Sequence, residues 1–247
     1  GIRAVAKKGL PEFIKSGRYD IICLQETKIA DHLELPEELI NPEGYFSYWN
    51  GGQERKGYSG VAVYSKIEPE AVKTDFGAKS LLSKEGRVLE LDYGDFVLFN
   101  IYFPNGGSGE ARLAYKLKFY AEFLDYAKKL LKKGKKIIVT GDFNTAREAI
   151  DLARPKENVT NSGFMPIERE WVDKYLAAGL VDVFRNFHKE GGRYSYWDIK
   201  TGARDRNVGW RIDYFLVSKN LVKSVKDSKI LADVYGSDHA PVLLTLN

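Results

Sequence analysis

The chain has 247 residues, 44% of them apolar, a net charge of +4 and one cysteine. With no Pro/Gly/Ser-rich linker, low-complexity tract or internal repeat, it reads as a single domain over residues 1–247 with one substantial core. A lone cysteine excludes an internal disulfide and a cysteine-cluster metal site, no apolar run approaches the roughly 20 residues of a spanning helix, and the mild positive balance permits a polyanionic partner without demanding one.

Residues 1–16 carry Ile2, Val5, Leu10, Phe13 and Ile14 at helical spacing, with Arg3, Lys7 and Lys8 polar; Pro11 bends or restarts this helix. Tyr19 to Glu26 is a near-continuous apolar run ending in an acid. That is the pattern of a strand buried on both faces, with Glu26 emerging at its C-terminal edge. Glu26 is there either a plain surface acid or a site carboxylate, and Lys28 follows it closely. Cys23 lies inside the run and reads as a buried, inert thiol in a reducing, intracellular setting. Residues 56–65, with Gly57, Tyr58 and Gly60, are a glycine-punctuated loop feeding a strand. Backbone amides in such a loop can approach a phosphate, although a plain turn is the default reading.

Arg87 to Asp92 and Phe96 to Phe103 pair as strands around Tyr93-Gly94-Asp95. The second runs through Tyr102 into Pro104-Asn105-Gly106-Gly107; Tyr102 is either core packing or a phenolic donor to an anion. Residues 110–133 form the best-patterned helix, with Leu113, Leu117, Tyr120, Phe123, Leu124, Ala127 and Leu131 on one face and Lys and Glu opposite. Its basic end, Lys128 to Lys136, reads as a solvated terminus favoured by the helix dipole and stopped by Gly134.

Lys136 to Asn144 repeats the logic of the first strand: an apolar run delivers Asp142 and Asn144 at its end. Alternation places both on one side if the strand continues, with Phe143 facing away. A carboxylate plus a carboxamide suits gripping a water and a phosphoryl oxygen. Residues 167–178 are a second helix, preceded by a polar loop with Asn158 and Asn161. In residues 193–218, Tyr194, Tyr196, Trp197 and Trp210 are interleaved with Arg193, Lys200, Arg204, Arg206 and Arg211. The mixture offers charge for phosphates and flat faces for bases or sugars; an aromatic-rich sheet edge fits the composition equally. Arg211 to Val217 is a strand with Asp213 near its start. Gly236-Ser237-Asp238-His239 then stands an acid and a histidine at the entrance of a final apolar strand.

Glu26, Asp142 with Asn144, Asp213, and Asp238 with His239 are thus carboxylate sites at four strand edges. Several carboxylates without cysteine favour a hard cation, Mg²⁺ or Mn²⁺, over zinc. Such an ion suits hydrolysis of a phosphate ester by activated water.

Together the motifs resemble the exonuclease III-type AP endonucleases of the DNase I-like endonuclease/exonuclease/phosphatase superfamily. The carrying stretches are Leu24 to Lys28, Lys56 to Val61, Tyr102 to Asn105, Gly141 to Asn144, Asn207 to Phe215 and Gly236 to His239, in family order over essentially the whole chain. The resemblance implies an α/β fold, a four-layer α-β-β-α sandwich of two mixed sheets face to face with helices outside. It implies a monomeric, Mg²⁺- or Mn²⁺-dependent DNA repair endonuclease of the cytoplasm or nucleoid, with no membrane partner. Its substrate would be double-stranded DNA with abasic or related lesions, cut 5′ to the abasic site to leave a 3′-hydroxyl; 3′–5′ exonuclease or uridine-directed nicking would accompany this.

Residue by residue, Glu26 matches the metal-binding glutamate and Asp238 a second or outer metal contact. Asp142 matches the aspartate that orients or deprotonates water, or protonates the leaving group, with Asn144 positioning it. Asp213 matches the partner of His239, whose imidazolium contacts the scissile phosphate, and Tyr102 the phenol that touches it. Arg3, Lys28, Gly57, Tyr58, Asn105, Asn158 and Asn161 match DNA-facing positions. Tyr196, Trp210 and Ile212 match the wall of a pocket for a flipped-out abasic sugar. Gly107-Ser108-Gly109 stands where some relatives carry a large wedge residue, which implies no DNA penetration there and faster product release. Family members open with a strand ending in Asn-x-Asn-Gly or Asn-x-Asp-Gly, and this sequence starts at that glycine, with Gly1-Ile2-Arg3-Ala4. A version carrying the strand is expected to bind metal more tightly and to work faster. The competing readings are another phosphodiesterase of the superfamily, against which Asn207 to Tyr214 argues, and a weakly active protein that binds damaged DNA.

Overall fold

The apolar face read over residues 1–16 folds as two short helices, α1 (Ile2–Ala6) and α2 (Leu10–Lys15). The break falls at Gly9, whose φ of +99° no α-helix accommodates, and Pro11 sits in the first turn of α2, where its missing N–H costs nothing. The computed structural model describes residues 1–52, 55–77 and 83–247. They form two compact units, Gly1–Tyr102 with Val139–Gly141, and Phe103–Ile138 with Asp142–Asn247.

In the first unit, β1 (Ile21–Gln25), α3 (Glu37–Ile40), β2 (Phe46–Asn50) and β3 (Val61–Ser65) follow the opening helices. The strands make an antiparallel sheet in the order β1-β3-β2. Ile2, Leu10 and Ile14 of the helices pack on Ile22 and Tyr64, covering one face. β4 (Ala71–Lys73), β5 (Val88–Asp92) and β6 (Val97–Tyr102) form a second antiparallel array. Val61 and Val63 meet Leu89 and Leu91 between the two, with Ile21 and Cys23 at the margin. The layers are therefore helix, sheet, sheet. β1 is covered on both faces, as its apolar run requires, but it lies at the edge of its sheet and only Ile22 is fully buried. Central β3 is the strand buried throughout. Burial pushes the Cys23 thiol up to about 12, so it carries no thiolate near neutrality.

The second unit contains α4 (Glu110–Lys132), half of β7 (Ile137–Asp142), α5 (Pro155–Asn158), α6 (Pro166–Ala177), β8 (Leu180–Asp182), α7 (Phe184–Phe187), β9 (Asp213–Ser218), β10 (Val225–Ile230) and β11 (Val242–Leu246). β8 pairs antiparallel with β9, and β10 with β11. β11 lies against β9, while α6 packs on α4 and β8. Phe103 is the centre of an aromatic core, stacked on Phe143 at 4.2 Å and ringed by Phe119, Tyr120, Phe123 and Tyr175. The buried stripe of α4 is displaced from the one read in the sequence. Lys116 and Phe119 are fully buried beside Tyr120, Phe123, Leu124 and Ala127, whereas Leu113, Leu117 and Leu131 are half-exposed. Lys116 thus faces inward, against the expectation of lysines on the outer face, because a carboxylate and a carbonyl wait for it there.

Candidate active site

The second unit brings together Asp142, Asn144, Asp213 and His239, the candidate catalytic residues. β7 ends on Asp142, and Phe143 turns into the aromatic core, as alternation required. The strand does not continue, however. Asn144 takes a left-handed conformation (φ +51°), which asparagine tolerates better than most residues. Its side chain is thereby folded back on Asp142: Nδ2 donates to Asp142 Oδ2 (3.0 Å) and to the Phe103 carbonyl (2.9 Å), and its backbone N–H donates to Asp142 Oδ1 (2.7 Å). Asn105 Nδ2 donates to Asn144 Oδ1 at 2.9 Å, so Asn105 is tied to that carboxamide.

Asp213 opens β9 and its Oδ2 lies 2.9 Å from His239 Nδ1. A carboxylate on Nδ1 fixes the ring and leaves Nε2 for substrate. Burial opposes charge on His239, but the neighbouring Asp213, then Asp142 and Asp238, hold its imidazole up to about 10. Burial, together with Asp213, pushes the Asp142 carboxyl up to about 7 against the opposing pull of His239 and Lys116. Near neutrality the site therefore pairs a charged imidazolium with a carboxyl poised to exchange a proton, the division of labour that acid–base chemistry needs.

Ser195, which carried no signal in the sequence, organises both strand entrances. Its Oγ accepts from the backbone N–H groups of Ile212 and Asp213, and its carbonyl accepts from Ala240 N–H at 2.7 Å. Tyr196 exchanges backbone bonds with Trp210, and its ring lies 4.9 Å from that of His239. Tyr196, Trp210 and Ile212 are gathered with Ala146, Leu152 and Phe164 in one apolar cluster. Two of the arginines interleaved there are engaged by the protein itself. Arg211 is buried between Asp151 and Asp182, and Arg204 donates to the carbonyls of Ala232, Val234 and Ser237 with its guanidinium over Trp197 and Tyr235. Arg204 thereby ties down the loop that ends at Asp238, whose Oδ1 accepts from Ser237 Oγ. Asn158 is half-buried and Asn161 exposed, and the two are bonded to each other at 2.9 Å.

The first unit carries the remaining residues. Glu26 and Lys28 both have left-handed backbones (φ +54° and +58°), and Lys28 Nζ lies 2.9 Å from Glu26 Oε1. Their segment is locked to the glycine loop by bonds from Thr27 N–H to the Gly60 carbonyl and from Lys28 N–H to that of Ser59, itself at φ +55°. A Cβ on Gly60 would come within 2.3 Å of Thr27 Oγ1, so only glycine fits there. Arg87, also unsignalled, is buried and donates to Tyr58 Oη (3.1 Å) and to the Tyr102 carbonyl (2.9 Å), with its guanidinium 4.8 Å from the Tyr102 ring centre. It thus brings Tyr58 and Tyr102 together beside Gly57. Arg3 pairs instead with Glu34 at the surface.

Among the described residues no three acidic, imidazole or thiol side chains form a ready-made metal cage. A half-exposed glutamate fits a different kind of site. Mg²⁺ keeps several waters and commonly takes one or two carboxylates plus substrate phosphate, so an isolated carboxylate at a strand edge suits it.

Comparison with known proteins agrees with the resemblance. The sequence model of the Endonuclease/Exonuclease/phosphatase family matches residues 3–239. The chain is 44% identical over its whole length to the exodeoxyribonuclease of Bacillus subtilis, covering 96% of that protein. It is 40% identical, again over its whole length, to the DNA repair nuclease APEX1 of Danio rerio, covering 79% of it. The solved structure of an AP endonuclease from Archaeoglobus fulgidus superposes with a TM-score of 0.88 at 29% identity, over 100% of this chain and 96% of that one. The α/β class implied by the motifs is therefore the observed one, and the chain belongs to the Endonuclease/Exonuclease/phosphatase family, in its group of exodeoxyribonucleases and AP endonucleases.

Proposed function

We propose that this enzyme hydrolyses the DNA phosphodiester 5′ to an abasic site to leave a 3′-hydroxyl, with 3′–5′ exonuclease activity from the same site, inside the cell and as one nuclease domain over residues 1–247. The observation that carries the reading is the pairing of His239–Asp213 with Asp142–Asn144 in one electrostatically linked group. A charged His239 suits contact with the scissile phosphate. Asp142, up to about 7 and bonded to Asn144, suits moving a proton to or from the reacting oxygen. Tyr102 supplies a phenol toward an anion, and Arg87 fixes its position.

Glu26, with Asp238 as an outer contact, would hold Mg²⁺ or Mn²⁺. A bound divalent cation neutralises phosphate charge and stabilises the leaving oxygen. Lys28, Gly57, Tyr58, Asn105, Asn158, Asn161 and Arg3 would face the DNA backbone. Tyr196, Trp210 and Ile212 would wall the pocket for the extruded abasic sugar, and the cluster they form with Phe164 supports that assignment.

The test is incision of an end-labelled duplex with one abasic site, in Mg²⁺ and in EDTA. Metal-dependent cutting 5′ to the lesion is expected. Retained binding with no cutting in Mg²⁺ would favour a damaged-DNA binder instead. A solved neighbour described as a 3′ phosphatase from Neisseria bound to product DNA hairpin is similar over 98% of this chain at 27% identity. The same assay with a 3′-phosphate end measures that second activity.

A further inference from the structure

Lys116 is the one member of the buried face of α4 that has no apolar reason to be there. Its side chain and that of Glu168 are both 0% exposed, with Nζ 2.7 Å from Glu168 Oε1 and 2.7 Å from the Asn144 carbonyl. Glu168 in turn accepts from Ser162 Oγ (2.8 Å), Gly163 N–H (2.6 Å) and Met165 N–H (3.2 Å). Gly163 has a φ of +97° and returns a bond to the catalytic loop, its carbonyl accepting from Ala146 N–H at 2.8 Å. A Cβ on Gly163 would lie 3.2 Å from the Asn144 carbonyl, so the loop over residues 158–165 is closed directly onto Asn144.

Burying two charges is costly, and apolar residues of similar volume often serve stability as well or better. A buried pair retained here is therefore better explained by the geometry it specifies than by stability. We propose that the Lys116–Glu168 pair is a positioning device that couples two parts of substrate engagement. Through the Asn144 carbonyl, Lys116 holds the left-handed turn that folds the carboxamide onto Asp142. Through Glu168 it holds the loop that carries Asn158 and Asn161. One ion pair thus sets both the group that positions water and a loop that would face the DNA backbone. This rests on the nuclease reading above.

The test is the double variant Lys116→Met/Glu168→Leu, which removes both charges at similar volume. A positioning role predicts a folded protein, lower in melting temperature because the Asn144 carbonyl and the Ser162, Gly163 and Met165 donors lose their partner. Its kcat on abasic duplex should be lower by about 10–100-fold, the scale of a misplacement near 1 Å, together with a raised KM. Amide hydrogen exchange at Gly163 and Met165, measured without DNA, should quicken by about tenfold or more as their carboxylate acceptor is lost. A folded double variant with parental kcat, KM and exchange overturns the proposal. If the double variant does not fold, Glu168→Gln is read instead. Its carboxamide has one acceptor oxygen for four donors, so a kcat below the parent's by about fivefold or more is expected, and parental kcat, KM and exchange overturn the proposal. If the parent itself cuts no DNA, the nuclease reading fails, and the exchange measurement still decides whether the pair holds the loop.

Discussion

Asp213→Asn tests the heart of the proposed chemistry. The rise of His239 from 6.5 to about 10 is, at about 1.4 kcal/mol for each pH unit, a preference of roughly 5 kcal/mol for the charged ring. The Asp213 carboxylate, 2.9 Å away, is its largest favourable source. The same carboxylate is the largest charge raising Asp142. Removing it lowers both values. If Asp142 acts ionised and His239 acts charged, activity rises as pH passes the first value and falls as it passes the second. The parent should then gain activity through about pH 7 and hold it through pH 9, with its fall near 10. In Asp213→Asn both limbs move acidward, the alkaline one by at least about one pH unit toward 6.5. A carboxamide also no longer fixes the ring's tautomer, which in comparable Asp–His pairs costs up to about 10⁴ in kcat. The assay is kcat/KM for incision of abasic duplex from about pH 5 to 9.5 at saturating Mg²⁺. If Asp213→Asn, like the parent, shows no fall below pH 9.5 and keeps a parental kcat, Asp213 does not hold the charge on His239, and the acid–base assignment falls with it.

Glu26→Gln should leave thermal stability nearly unchanged, because a half-exposed pair with Lys28 is worth about 0–1 kcal/mol. It should raise the Mg²⁺ concentration for half-maximal incision by about tenfold or more; a parental metal titration would remove Glu26 from the metal site. Phe103→Ala empties the centre of the aromatic core and should cost about 3–5 kcal/mol in urea unfolding. A loss below about 1 kcal/mol would mean that the ring is not the keystone described. Arg211→Met leaves Asp151 and Asp182 without their shared buried partner and should cost about 3–5 kcal/mol. Salt should weaken DNA binding equally in parent and variant, since Arg211 touches no phosphate in this reading.

The candidate catalytic residues were legible because each is tied to a local pattern: an apolar strand run followed by an acid, or an acid and a histidine before one. Asp142, Asp213 and His239 are found where those patterns put them. What sequence did not reveal are the residues whose role depends on distant partners. Ser195 lies between two tyrosines and has no periodic signature, yet it fixes two strand entrances. Arg87 only opens a strand in the sequence and Arg211 reads there as charge for phosphate, whereas the fold surrounds both with acceptors of its own. Lys116 defeats hydrophobic patterning outright, since a buried lysine on an amphipathic helix looks like its solvent face. The short strands β2, β4, β8 and β10 were also not read. Their pairing energy comes from neighbours far along the chain, and three to six residues carry too little alternation to announce a strand.

Glu26, Lys28, Ser59 and Asn144 share a left-handed backbone, a conformation that costs a side-chain-bearing residue of order 1 kcal/mol or more each. Set against the 5–15 kcal/mol that holds a typical domain together, this is a sizeable fraction concentrated in the segments that would do the chemistry. The fittest sequence for survival at high temperature is therefore not the fittest for turnover. A library selected only for heat resistance should accumulate glycine at Lys28 and Ser59, where it relieves the backbone, and should lose a charge and a loop geometry along the way. Selection that demands catalysis would keep the costlier residues and recover stability elsewhere, in helix ends and surface loops that the substrate never meets.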